Sequence, residues 1–218
     1  MERDATFPKQ VAYFMYRNAV RETDLGKFEK AGLRYDITVM EPGVIGTEYV
    51  KTAGHYHPYT PAGELRYPEI YEVIAGQALY VLQEIGADEG VVKQVLLVTA
   101  GPGDKVIMPP GCGHVTVNVG TDRLVMANIV SDEFQSIYAP YQERHGAACY
   151  IVAQAGRPAA LANSHYAGLP EAQWLAPTSL QQFAQPLYRC AAEDLAKFEW
   201  LNKPATWPAT AQDCFRRL

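Results

Sequence analysis

Two histidines stand one residue apart in TAGHYHPYTPAGELRYPEIYEVIAG, the stretch from Thr52 to Gly76. They are His55 and His57, in a chain that has only five histidines. In an extended strand, residues i and i+2 point to the same face, so both imidazoles project together and Tyr56 projects the other way. Two imidazoles on one face form a claw for a divalent first-row metal. Glu69 follows twelve residues after His57 and opens an apolar run. A third imidazole, His114, lies in GDKVIMPPGCGHVTVN, residues 103–118. There Pro109, Pro110 and Gly111 make a tight turn that delivers it to the start of a strand. If that strand neighbours the one carrying the pair, His55, His57, Glu69 and His114 converge on one centre. Such a set of nitrogens and one carboxylate suits a divalent cation with open positions for a substrate.

These residues need a frame, and the middle third of the chain supplies strands. Runs rich in Val, Ile and Tyr occupy 35–40, 46–51, 70–74, 78–83, 92–98, 104–108, 114–119 and 123–130. Turn sequences separate them: EPG, AGQ, GADEG, AGPGD, PPG and VGTD. Short strands with this punctuation predict an all-β barrel or jelly roll rather than βαβ units. The ends read differently. Residues 17–32 are polar and predict a short helix ending at Gly32. Beyond about residue 155, Pro, Ala and Gln become frequent, and SLQQFAQPLYRCAAEDLAKFEWL reads as helical with a break at Pro186. The expected organisation is an N-terminal extension over 1–34, a barrel over 35–155 and a C-terminal extension over 156–218. The last packs on the barrel or on a partner subunit.

Composition narrows the function. The chain has 218 residues, 48% of them hydrophobic, enough for a substantial core. Its net charge is −5 and its pI is about 5.5, which gives no electrostatic case for nucleic acid or an anionic membrane. The opening MERDATFPKQ is charged and lacks the apolar core of a signal peptide. No apolar segment approaches the ~20 residues that span a bilayer. A soluble, cytoplasmic protein is expected. Cys112, Cys149, Cys190 and Cys214 form no CxxC and read as reduced thiols, with Cys112 the one near the suspected centre.

The two histidine motifs resemble those of the cupin superfamily. Its first motif is G-x5-HxH-x3,4-E-x6-G and its second G-x5-PxG-x2-H-x3-N. The second matches in full, from Gly103 through Pro109, Gly111 and His114 to Asn118. The first matches in the histidine pair, the glutamate and the spacing from Glu69 to Gly76. It departs by placing eleven residues, PYTPAGELRYP, between His57 and Glu69, and by a displaced Gly. TAGHYH, EIYEVIAGQALYVLQ and PPGCGHVTVNVG resemble more closely the cupin-type glucose-6-phosphate isomerases. That likeness runs from about Tyr35 to Gly146.

The resemblance implies a cupin jelly roll that interconverts glucose 6-phosphate and fructose 6-phosphate through a metal-stabilised enediolate. It implies His55, His57, Glu69 and His114 as metal ligands. Fe(II) is the first choice, with Mn(II), Ni(II) or Zn(II) as alternatives. It implies Thr38, Thr52 and Gly54 as phosphate contacts, a retained Tyr138 at the substrate, and Tyr71 against sugar hydroxyls. Glu69 is the expected base between C2 and C1. A tightly ligating carboxylate is a poorer base, so an intermittent bond or a hydride shift is the alternative. Ser136 stands where better-known archaeal members carry a His implicated in ring opening or proton transfer. His145 lies nearby in sequence as a substitute, with contact of Tyr138 or Tyr141 to substrate as the alternative. Jelly-roll edges commonly pair, so a homodimer is expected. The competing readings are an Fe(II)-dependent cupin dioxygenase, an isomerase of mannose 6-phosphate, and a non-catalytic metal-holding module that binds sugar.

Overall fold

The β-branched and aromatic runs form strands in the computed structural model, which describes residues 11–63, 65–86, 91–207 and 213–218. The charged stretch 1–10 and most of the GADEG turn lie outside the described residues. In chain order the strands are β1 (Tyr13–Tyr16), β2 (Leu33–Met40), β3 (Val44–Ile45), β4 (Glu48–Tyr49), β5 (Glu69–Ala75), β6 (Ala78–Ile85), β7 (Val92–Ala100), β8 (Lys105–Met108), β9 (Cys112–Asn118), β10 (Leu124–Ser131), β11 (Cys149–Gln154), β12 (Arg157–Ala162), β13 (Gln173–Pro177) and β14 (Phe215–Arg217). The α-helices are α1 (Glu22–Ala31), α2 (Ala139–Glu143) and α3 (Leu187–Glu193).

The first sheet has the order β1-β2-β10-β5-β8 and the second β14-β13-β7-β6-β9. The extended segment 50–57 continues the second sheet beyond β9 through bridges Lys51 to Val117 and His55 to His114. Strands pair in a nested way: β2 with β10, segment 50–57 with β9, β5 with β8, and β6 with β7. One long antiparallel ribbon is thus rolled so that its strands alternate between facing sheets, which is a jelly roll. A smaller sheet, β12-β11-β4-β3, lies beside it.

Why β6 is apolar almost throughout follows from where its faces go. Tyr80 and Leu82 enter the barrel core with Tyr71 and Met126. Leu79 and Val81 face the opposite way, into a second cluster with Val115, Val117, Tyr141 and Ile151. Both faces of that sheet are buried, so its strands show no alternation of polar and apolar residues. The outer face of the first sheet is covered too. Phe28 of α1 and Leu187, Phe198 and Leu201 of the C-terminal region share a core cluster with Leu33, Tyr35 and Ile70.

The ends depart from expectation. β1 pairs with β2 inside the predicted N-terminal extension. β12, β13 and β14 are strands in a region read as helical or irregular, and β13 runs parallel to β7. The predicted strand over 46–51 shortens to β4 and the bridge at Lys51. The helices after residue 180 are short: one turn at Gln181–Phe183, then α3, then a 3₁₀ stretch Leu195–Leu201, with Pro186 as the N-cap of α3. No disulfide joins the cysteines among the described residues. Among the same residues no helix is long and apolar enough to cross a membrane.

Candidate metal centre

The turn before β9 depends on Gly111, whose φ of +86° is open to glycine without steric penalty. It starts β9 at Cys112 and sets His114 on the barrel face of the strand, opposite Leu82. His55 and His114 then exchange backbone hydrogen bonds, His114 N–H to His55 O at 3.0 Å and His55 N–H to His114 O at 3.3 Å. This close pairing brings the two rings to 4.4 Å between centroids. His57, two residues on, faces the same interior, with its ring 5.3 Å from that of His114. Tyr56 points away as alternation requires and lies against Tyr141 in the second cluster.

Glu69 reaches the same point from the facing sheet. One ligand atom from each of His55, His57, Glu69 and His114 can be chosen so that all lie within 4.8 Å of one another. Glu69 Oε2 is 3.4 Å from His57 Nε2 and 3.2 Å from His114 Nε2. It is buried and accepts no hydrogen bond. Its other oxygen accepts from Asn128 Nδ2 at 2.6 Å. An unsatisfied buried carboxylate oxygen is expensive, and a cation is the partner this oxygen fits. Burial drives His55 and His57 down to about 3 and His114 to about 4. Neutral imidazoles with free lone pairs are what a metal needs. Burial pushes Glu69 up to about 7, against the pull of His57 beside it.

The long insert between His57 and Glu69 has a structural role. Its Tyr67 carbonyl lies 2.9 Å from His57 Nδ1, which fixes that nitrogen as the donor and leaves Nε2 for the centre. Arg66 donates to the His57 carbonyl at 2.8 Å. Phe134 packs on the His57 ring at 4.5 Å and on Tyr67 at 4.7 Å. None of these partners was read from the sequence. The displaced glutamate was the visible sign that something had been inserted to serve the histidine.

Tyr71 lies inside the barrel, with its hydroxyl 3.4 Å from His114 Nε2. Burial, with Glu69 next, pushes its pKa well above the usual phenol value, so it is a neutral donor. Ser136 and Tyr138 line the same pocket as the cluster, together with Met15, Arg17, Arg34 and Asp36. Thr38 is buried on the β2 face that carries Arg34 and Asp36. Thr52 and Gly54 line a neighbouring cavity with Lys51, Tyr141, His145 and His165, and Tyr138 borders both. Thr52 Oγ1 accepts the Thr116 N–H at 3.0 Å. Gly54 is under the Tyr141 ring, where an added Cβ would come within 2.2 Å of a ring carbon. His145 has its ring 4.4 Å from that of His165, tilted by 42°, in that second cavity. Tyr141 is buried against Tyr56. Cys112 is buried, and burial pushes its thiol upward.

The profile of the family described as glucose-6-phosphate isomerase (GPI) matches residues 2–167. The glucose-6-phosphate isomerases of Thermococcus onnurineus (strain NA1) and Pyrococcus furiosus are 33% and 31% identical to the chain over 117 residues. Each alignment covers 53% of this chain and 56% of the relative, so the chain spans about half the length of the curated relatives it matches. Among solved structures, oxalate oxidase in complex with the substrate analogue glycolate aligns with a TM-score of 0.44 and 17% identity, over 61% of this chain and 57% of that one.

Proposed function

The chain belongs to the glucose-6-phosphate isomerase family, and from that premise we propose that it interconverts glucose 6-phosphate and fructose 6-phosphate with one divalent cation at the barrel centre. The observation that carries this reading is the buried, unpartnered Glu69 Oε2 facing the nitrogens of His57 and His114. His55, His57, His114 and Glu69 would hold the cation, Fe(II) first. When bound, it would supply Lewis-acid polarisation of the sugar oxygens O1 and O2. The remaining chemistry belongs to the protein. Glu69 moves the proton between C2 and C1 with Oε2, the oxygen that Asn128 leaves free and whose bond to the cation would be intermittent. The neutral Tyr71 hydroxyl donates to a sugar oxygen from the same wall. Phe134 limits water on the His57 side. Ring opening falls to Ser136 or Tyr138, since these line the pocket whereas His145 is in the neighbouring cavity.

The test is a coupled assay of fructose 6-phosphate conversion to glucose 6-phosphate, run with chelator and then with added Fe(II), Mn(II), Ni(II) or Zn(II). Activity that disappears on chelation and returns with one of these ions is expected. Turnover that is indifferent to chelation, or oxygen consumption without isomerisation, would overturn the reading.

A further inference from the structure

Two rows of residues cross the barrel face of the first sheet at the metal pocket. In one row, Val130 of β10 is opposite Arg34 of β2 on one side and Glu69 of β5 on the other. In the next, Asn128 is opposite Asp36 and Tyr71. Residues directly opposite one another share a face, and all six line the pocket. Strand spacing puts the backbones of Arg34 and Glu69 roughly 10 Å apart, with only the short Val130 side chain between them. Asp36 fixes the guanidinium. It is 1% exposed, and Arg34 Nε donates to its two oxygens at 2.8 and 3.0 Å. Asn18 N–H donates to it at 2.8 Å, and Arg17 Nη1 lies 3.4 Å from Oδ2. Because the Nε edge of Arg34 is used, both its Nη groups are left over. They make no hydrogen bond to any described residue. Glu69 is not their partner, since Asn128 holds Oε1 and Oε2 accepts no hydrogen bond. A buried carboxylate ion pair adds little net stability by itself. Its consequence here is orientation: it holds a rigid set of N–H donors on the pocket wall, across Val130 from Glu69.

We propose that Arg34 is a catalytic residue of the isomerisation, donating from its Nη groups to the sugar oxygen that gains negative charge. This deepens the isomerase reading and rests on it. The phosphate contacts implied by the family resemblance, Thr52 and Gly54, line the neighbouring cavity, and Tyr138 borders both spaces. A sugar held there by its phosphate brings its carbonyl end past Tyr138 into the gap over Val130. In the direction from the aldose, the C2–H bond breaks and Glu69 takes the proton. The electron pair of that bond forms C1=C2, and the carbonyl pair moves onto O1. A unit of negative charge thus passes from Glu69 to the sugar, in the gap that Arg34 faces. The O2 proton then moves to O1, the proton on Glu69 returns to C1, and C2=O forms. Donors fixed beforehand by Asp36 stabilise the charge on the sugar without reorganising. Arg34 stays protonated throughout and forms no covalent bond.

The experiment uses metal-loaded protein with Arg34→Gln and Arg34→Lys. Steady-state kinetics give kcat and KM for fructose 6-phosphate. Calorimetry gives the dissociation constants of two probes that do not react. One is the hydroxamate of 5-phosphoarabinonate, a planar anion shaped like the enediolate. The other is glucitol 6-phosphate, which carries the phosphate but no carbonyl. In Arg34→Gln, kcat should fall about 10²-fold while KM changes by less than about three-fold. The hydroxamate should bind more weakly by a factor similar to that in kcat, and glucitol 6-phosphate by no more than about three-fold. Metal content should stay the same. Arg34→Lys keeps a charge for Asp36 but loses the fork, so it should fall between wild type and Arg34→Gln, and it serves if Arg34→Gln does not fold. Equal weakening of both probes, loss of metal, or a kcat within about three-fold of wild type overturns the proposal. If wild type turns over no sugar phosphate, the isomerase reading fails by itself, and the ratio between the two probes still decides whether Arg34 favours the charged, planar ligand.

Discussion

The two oxygens of Glu69 have different partners. Asn128 holds Oε1, and Oε2 faces the imidazoles of His57 and His114. Glu69→Gln keeps the shape and an oxygen for Asn128, but an amide cannot take a proton from carbon at neutral pH. With cation saturating, turnover should fall ~10²–10⁴-fold. Near-normal turnover of the saturated variant, with no solvent deuterium entering the product of wild type in deuterated water, would leave Glu69 a ligand only and favour a hydride shift. The same cluster sets a response to acid. In chelated protein, His57 and His114 stay neutral down to about 3 and 4, while the unfolded chain takes up protons near 6.5. The unfolded state therefore binds more protons between these values, and stability must fall as pH drops from 6.5 towards 4. Glu69 works in the opposite sense, because the fold keeps its proton up to about 7. Two fully buried imidazoles outweigh one carboxyl, so the urea midpoint of the chelated protein should decline over that window. A flat or rising midpoint would show that the rings are not held neutral.

At the scale of elements, the histidine segment is held from behind. Gln83 on β6 donates to Tyr56 Oη at 2.5 Å and Tyr166 Oη at 3.2 Å, and accepts the Ala148 N–H at 2.7 Å. Gln83 is fully buried, so Gln83→Leu leaves these groups without partners. It should destabilise by roughly 1–3 kcal/mol for each group left unsatisfied. Because Tyr56 sits between two of the proposed ligands, cation release should also accelerate. Unchanged release alongside lower stability would mean that the segment is held by its backbone pairing alone. The strands that position the cluster were legible because their Val, Ile and Tyr runs end at Gly, Pro and Asp. The histidines were legible by spacing, and Glu69 by the run it opens. β11 and β12 were not. CYIVAQAGRPAALA mixes Ala, Gly and Pro with few β-formers, and it becomes a hairpin by tertiary pairing rather than propensity. Asn128, Phe134, Arg17 and Arg34 were invisible for another reason. Their proximity to the cluster comes from the pairing of β1 with β2, of β2 with β10 and of β10 with β5, which no local spacing encodes.

Over the whole molecule, the C-terminal region is tied to the first sheet by a buried charge. Glu72 on β5 pairs with Lys105 of β8 at 2.9 Å and accepts the Leu187 N–H of α3 at 2.7 Å. Glu72→Ala strands both groups and should cost about 3–5 kcal/mol. Glu72→Gln retains an acceptor for Leu187 and should cost less. Limited proteolysis should cut the region after residue 178 sooner in the alanine variant. Equal cutting in both variants and wild type would mean that Phe198, Trp200 and Leu201 hold the region without the charge.

The four residues of the candidate metal cluster do not share a sheet. His55, His57 and His114 belong to one wall of the barrel and Glu69 to the other, so a cation held at the proposed centre would be a rivet through both. Within each wall the strands are joined by their own ladders; between the walls there are side-chain packing and side-chain hydrogen bonds such as that of Asn118 Nδ2 to the Met40 carbonyl at 3.2 Å. Removing the rivet should therefore leave far-UV circular dichroism nearly unchanged while the walls breathe apart more often. Hydrogen exchange would register this at the amides of β5 and β9, which should lose protection on chelation ahead of those of β7, and regain it when the ion is restored. Uniform loss of protection across both walls would instead make the cation a partner in folding the barrel, and not a fastening added to a barrel already closed.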